Sequence, residues 1–90
     1  MNNYLPKVGV LLVVTNEADF LPVFCRSMIN QTYKNIKLFV LDNNCEDNSI
    51  EIIKSFFLDV FIITSKENIG FAKGNNLLAD EAIKSGCEFL

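Results

Sequence analysis

The ninety residues contain no histidine at all, which removes imidazole zinc sites and His-dependent nucleophilic triads from consideration. Cysteine is scarce and odd in number: Cys25, Cys45 and Cys87 stand far apart, in neither a CxxC pattern nor an even disulfide framework. They read as free thiols of a reducing compartment. Proline occurs twice, at Pro6 and Pro22, and no repeat, low-complexity tract or Gly/Pro/Ser linker divides the chain. The longest apolar run, Val8 to Val14, is far short of the roughly 20 residues that span a bilayer. The amino terminus lacks the charged flank and cleavage site of a signal peptide. The expected compartment is the cytoplasm. With 8 basic against 11 acidic residues and a net charge of -3, a nucleic-acid partner is not expected.

What is present is apolar: 50% of the residues are hydrophobic and 21% charged, enough for a packed core and too little charge for disorder. A chain of this length buries only about 60% of the surface its unfolded form exposes. One domain at most is expected, and an α/β layer of this size is marginal by itself, as part of something larger would be.

Val8 to Val14 is continuous, apolar and rich in β-branched residues, the signature of a strand covered on both faces. From Asp19 the spacing changes, and Phe20, Leu21, Phe24, Met28 and Ile29 predict one face of a helix, with Pro22 tolerated in its first turn. Ile36 to Leu41 reads as a second strand closed by Asp42-Asn43-Asn44. Asn48 with Glu51 resembles a capping box ahead of a helical stripe of Ile50, Ile53, Phe56 and Phe57. Val60 to Ile63 is a short third strand. The polar stretch Lys66 to Gly74 leads into a third helix with Leu77, Leu78, Ala82 and Ile83 inward and Gly86 as its carboxyl cap. Cys87 to Leu90 reads as a fourth strand cut off as it begins.

The alternation predicts an α/β fold: a Rossmann-like βαβαβα-β three-layer unit with right-handed crossovers and a mostly parallel sheet. Ligands of such sheets bind outside the carboxyl ends of the strands. That rule selects Thr15 to Glu17, Asp42 to Asn48 and Lys66 to Asn76, a polar set that suits nucleotide chemistry. Carboxylates accept from base N–H groups and ribose hydroxyls, while lysine and glycine-exposed amides suit a diphosphate. Each residue also has a plainer reading. Asp42, Asn43, Asn44 and Asn48 are good turn residues, Asp47 complements a helix N-terminus, Gly70 and Gly74 serve turns, Lys73 is a solvated charge and Cys45 a passive small residue. Gly70 to Asn76 is neither a P-loop nor a GxGxxG fingerprint.

Four segments taken in order carry a resemblance: Leu12 to Glu17, Ser27 to Tyr33, Val40 to Ser49 and Glu67 to Asn76. Together they resemble successive motifs of the family 2 glycosyltransferases, nearest to rhamnosyltransferase-like members, which carry Asp-Asn where many others carry Asp-Asp. The resemblance runs from Lys7 onward and implies the N-terminal half of a GT-A fold, residues 1–90 forming a single partial nucleotide-sugar-binding domain truncated in the fourth strand. It implies Thr15 and Glu17 as contacts to base and ribose, Thr15 standing where the family usually has tyrosine. Asp42 and Asn43 would read the uracil or thymine edge, and Asn68, Gly70, Lys73 and Asn76 would border the sugar-nucleotide cleft. The phosphate role of Lys73 is inferred from its chemistry.

The implied reaction displaces a nucleoside diphosphate from the anomeric carbon of a UDP- or dTDP-sugar, usually with inversion, a carboxylate base deprotonating a saccharide acceptor. Mg2+ or Mn2+ held by a DxD-like motif is implied for the full-length parent, at its inner membrane face or in the cytoplasm. That motif follows the fourth strand, so no metal and no transfer activity are expected of this chain alone. The rival expectation is a non-catalytic binding or assembly module. Apolar surface left uncovered would favour self-association.

Overall fold

The computed structural model describes residues 6–31, 33–88 and 90. Thr32 of the second motif, Phe89 of the expected fourth strand and the amino-terminal residues 1–5 lie outside the described residues. The elements follow in the order β1 (Val8–Val14), α1 (Leu21–Ile29), β2 (Ile36–Asn43), α2 (Ser49–Phe56), β3 (Phe61–Ser65) and α3 (Phe71–Lys84). The three strands form one sheet in the order β1-β2-β3, and both pairings are parallel.

Alternation along each strand sends side chains to opposite faces. Val10, Leu12 and Val14 of β1, Leu38 and Val40 of β2 and Ile62 of β3 pack with Leu21, Cys25 and Ile53 of α1 and α2. Leu11, Val13, Phe39, Leu41, Phe61 and Ile63 pack on the other face against Leu78 and Ala82 of α3. Phe39, Leu41, Leu78 and Ile53 are fully buried, each burial contributing about 1.5–3 kcal/mol. Two helices on one face and the third on the other mean that the chain reverses its direction of travel after β3. Right-handed crossovers then bring the residues after α3 to the free side of β1. The Glu88 amide donates to the Lys7 carbonyl there, at 2.8 Å.

Local contacts correct four expectations. In α1 the buried stripe is Leu21, Cys25 and Met28, while Phe20 and Ile29 are half exposed. The Glu17 carbonyl accepts from both Phe20 and Leu21 amides, which fixes the first turn one residue later than the apolar pattern suggests. No capping box forms at α2: Asn48 makes no side-chain cap bond, and Asp47 instead accepts from the Ser49 amide and hydroxyl. In α3 the inward residues are Gly74, Leu78 and Ala82, while Ile83 is 62% exposed. A Cβ on Gly74 would lie 2.7 Å from Leu41 Cδ2 and 3.0 Å from Val13 Cγ2, so this glycine serves close helix-to-sheet packing. Finally, β3 runs over Phe61–Ser65, starting one residue and ending two residues later than the expected Val60 to Ile63.

Gly86 does end α3, at φ +90°, with its amide bonded to the Ile83 carbonyl and the Cys87 amide to that of Ala82. This is the Schellman pattern, with buried Cys87 packed in the same cluster as Ala82. At the opposite end of the sheet from the strand termini, the Tyr33 hydroxyl donates to the Pro6 carbonyl and pins the α1–β2 turn. The second sequence motif therefore lies at the amino-terminal edge, far along the strands from the carboxyl-edge loops.

Candidate functional site

The register aligns Val14 with Asp42 and Asp42 with Thr64, and Asn43 with Ser65, so the three loops that follow leave the sheet at one level. Asp42 and Asn43 are consecutive on β2 and must look to opposite faces. Asp42 turns toward the α1 and α2 side, where one carboxylate oxygen accepts from the Cys45 amide at 2.9 Å and closes the turn. Its other oxygen has no hydrogen-bond partner among the described residues. Asn43 turns toward the α3 side and is only 3% exposed.

The side chain of Asn43 is fully engaged. Its amide nitrogen donates to Thr15 Oγ1 at 3.2 Å and to Asn68 Oδ1 at 2.9 Å, and its oxygen accepts from the Ile69 amide at 3.0 Å. Thr15, Asn43, Asn68 and Gly70 are thus brought together as expected, but as a bonded chain: Asn68 Oδ1 also accepts from the Gly70 amide at 3.0 Å. Asn43, expected to read a base edge, is here a buried amide whose donors and acceptor meet Thr15 after β1 and the Asn68–Ile69 segment after β3.

On the other side, two loops are clamped by side chains whose importance the sequence reading underrated. Asn16 takes the left-handed conformation, φ 54°, and its Oδ1 accepts from the Glu46 amide at 2.7 Å and the Asp47 amide at 3.3 Å. Asp47 Oδ2 accepts from the Ala18 amide at 3.1 Å, and the Ser49 hydroxyl, wholly buried, accepts from the Glu17 amide at 2.8 Å. The signal for this clamp was available in Asp47-Asn48-Ser49, a good Asx-turn sequence. Its hydrogen bonds from Ser49, then from Ala18, hold the Asp47 carboxyl below the ordinary carboxylate range. Cys45 donates to the Val14 carbonyl, and burial, with the Asp42 and Asp47 carboxylates, pushes its thiol up.

The clamp leaves an open hollow of about 310 Å³ lined by Asn16, Glu17, Ala18, Asp19, Phe20 and Asp47. Of the expected site residues only Glu17 lines it, its carboxylate exposed and without a hydrogen bond among the described residues. The hollow is acidic and suits hydroxyl and N–H donors. Across the edge, α3 starts at Gly70, φ 85°, with no side-chain cap and no acidic residue in its first turn. Lys73 is exposed in that turn. An uncapped positive helix end of this kind suits an anion. Asn76 is exposed on the same side as Lys73, away from the buried Gly74, Leu78 and Ala82, and is not drawn into the bonded group. Among the described residues no three His, Cys, Asp or Glu side chains converge as metal ligands.

The model of the family described as glycosyl transferase family 2 matches residues 9–84. The chain belongs to glycosyl transferase family 2. Among its relatives are a glycosyltransferase of Haemophilus influenzae described as uncharacterized, 29% identical over 80% of this chain and 23% of its own length, and the glycosyltransferase GlyA of Streptococcus pneumoniae, 36% identical over 78% of this chain and 10% of its own. The cholesterol galactosyltransferase of Borreliella burgdorferi is 27% identical over 84% of this chain and 22% of its own length. The family 2 chain thus spans under a quarter of the length of these relatives. Its fold matches that of the mannosyltransferase PcManGT from Pyrobaculum calidifontis, solved in complex with GDP-Man and Mn2+, with a TM-score of 0.76 and 21% identity over 89% of this chain and 25% of that one. The three-stranded parallel sheet is therefore the amino-terminal α/β portion of a GT-A glycosyltransferase fold. Among the described residues no helix is long and apolar enough to cross a membrane.

Proposed function

We propose that this chain supplies the donor-nucleotide part of a family 2 glycosyltransferase, and that it takes the nucleoside diphosphate of a UDP- or dTDP-sugar at the carboxyl edge of its sheet. In the parent enzyme the sugar passes to a saccharide acceptor in polysaccharide synthesis, as rhamnosyltransferase-like members of the family would do. The observation that carries this reading is the division of one sheet edge into an acidic hollow and an uncapped, basic helix end. The Glu17 carboxylate and the unpartnered Asp42 oxygen accept from ribose hydroxyls and from the base N–H. The first-turn amides of α3, with Lys73, take the diphosphate. The GDP-Man named with the mannosyltransferase supports a nucleotide sugar as the ligand class and leaves the base open to test.

In this reading the isolated chain binds nucleotide without transferring sugar. Titrating it with UDP, dTDP and GDP while following backbone amide shifts tests the reading. Expected is binding in the millimolar range, about -4 kcal/mol, stronger for the pyrimidine nucleotides, with shifts around Asp42. Asp42→Ala should weaken it by about 1–3 kcal/mol. A chain that leaves every amide unmoved with all three nucleotides has no such site.

A further inference from the structure

The hydrogen bonds around Asn43 fix the orientation of two amides without ambiguity. The Ile69 amide is a donor, so the Asn43 oxygen must face it and the Asn43 nitrogen must face Asn68 and Thr15. The Gly70 amide is likewise a donor, so Asn68 must present its oxygen to Gly70. That same oxygen is then the only partner left for the Asn43 nitrogen on that side. Asn68 cannot rotate to present its own amide nitrogen without setting donor against donor at both contacts. Position 43 therefore needs a group that accepts toward Ile69 and donates toward Asn68, and it needs this in a place only 3% exposed. An ionised carboxylate has the shape and lacks the donor.

The consequence reaches beyond β2. Gly70 is the first residue of the α3 end, in a conformation, φ 85° and ψ 158°, that a side chain would resist, and no side chain caps the helix. Its amide is held by Asn68, and Asn68 is held by Asn43. We propose that Asn43 is a positioning residue of the nucleotide site: through Asn68 it sets the N-terminus of α3 relative to the ends of β1 and β2, and only a side chain with a donor toward Asn68 can do so. This rests on the reading of the edge as a nucleoside diphosphate site, since the α3 end is where that reading places the phosphates. It also gives the Asn at position 43 a chemical reason to differ from Asp.

The test is Asn43→Asp, compared with wild type at about pH 7.5 and about pH 5, following the Gly70 amide by NMR and titrating with uridine and with UDP. The groups that face residue 43 are the Thr15 hydroxyl, the Asn68 amide and the Ile69 backbone, none of them charged. Burial and the chain neighbour Asp42 both favour the neutral form of the introduced acid, so lowering the pH shifts it from ionised toward protonated. Protonated, it regains the donor toward Asn68. At the higher pH the Gly70 amide should shift and UDP affinity should fall about tenfold, with a smaller loss for uridine. At the lower pH both should return to the wild-type values measured at that pH. A Gly70 amide unmoved at the higher pH, or one that moves and does not return, overturns the proposal.

Asn68→Ala is the second variant, because Asn68 is exposed and its truncation opens no core cavity. It should displace the Gly70 amide equally at both pH values, and a Gly70 amide that stays in place overturns the proposal even if Asn43→Asp fails to fold. Wild type that binds neither uridine nor UDP would refute the nucleotide reading instead, while the Gly70 signal would still report whether the Asn43–Asn68 link exists.

Discussion

The two halves of the carboxyl edge are built differently. On the β1–β2 side, Asn16, Asp47 and Ser49 tie two loops together through side chains that bond backbone amides of the other loop or their own. On the β3–α3 side the loop is held to the rest of the edge by Asn43 and Asn68, and the helix end beyond it is uncapped. Cross-loop ties cost side-chain freedom and give a hollow of fixed shape, which suits a rigid nucleoside. A helix end with free amides suits a flexible, charged diphosphate, which needs donors more than shape. The polar residues that look equivalent in the sequence therefore differ in setting: Asn16, Asp47, Ser49, Asn43 and Asn68 are bonded to loop backbone, while Glu17, Lys73 and Asn76 are exposed.

The largest effect should come from cutting the side-chain link that Asn43 makes to the β3–α3 loop. Asn43→Leu fills the same space but leaves the Ile69 amide and the Asn68 oxygen without their buried partner, at a cost of about 2–4 kcal/mol in chemical denaturation. A variant as stable as wild type would mean that the two halves are joined by something other than Asn43. A smaller and more local effect follows from acid. Asp47 has a folded pKa below its ordinary 3.8, so its contribution is complete above that value and is lost as pH falls through the lowered folded value. The amide shifts of Ala18 and Ser49 should move in that range while those of the α3 end stay still. If both ends move together, the halves are not separable. Smallest of all is Lys73→Ala, which should leave stability unchanged within about 0.5 kcal/mol because the side chain is exposed and has no ion pair among the described residues, yet weaken UDP more than uridine. Equal losses for the two ligands would remove Lys73 from the phosphate side.

This contrast also explains which parts were legible in the sequence. The order of elements follows from apolar runs against helical spacing, and the two-faced core from the unbroken apolar stretches Val10 to Val14 and Leu38 to Leu41, whose successive side chains point to opposite faces. Gly86 as the end of α3 was legible because a left-handed terminus favours glycine. Gly74 was not: its missing Cβ matters only against Leu41 and Val13, which come from other elements. The inward stripe of α1 shifted because Glu17, outside the helix, sets its start. Residue types chosen by chemistry named Asp42 and Asn43 together, and the pleat of β2 separates them to opposite faces. Three of the four family motifs map to the carboxyl edge of the sheet, and their residue types alone do not separate an exposed side chain from one bonded to its neighbours.

The central claim is that one nucleotide would bridge the two halves, and comparing uridine with UDP on the wild-type chain by amide shift mapping tests it most directly. Uridine should move the amides of Asn16 to Asp19 and Asp47 and leave Gly70 to Lys73 where they are. UDP should move both groups. Contradiction would come from UDP shifts confined to one half, or from uridine shifts at the α3 end, since either would place the nucleoside and the diphosphate differently from the division of the edge described above.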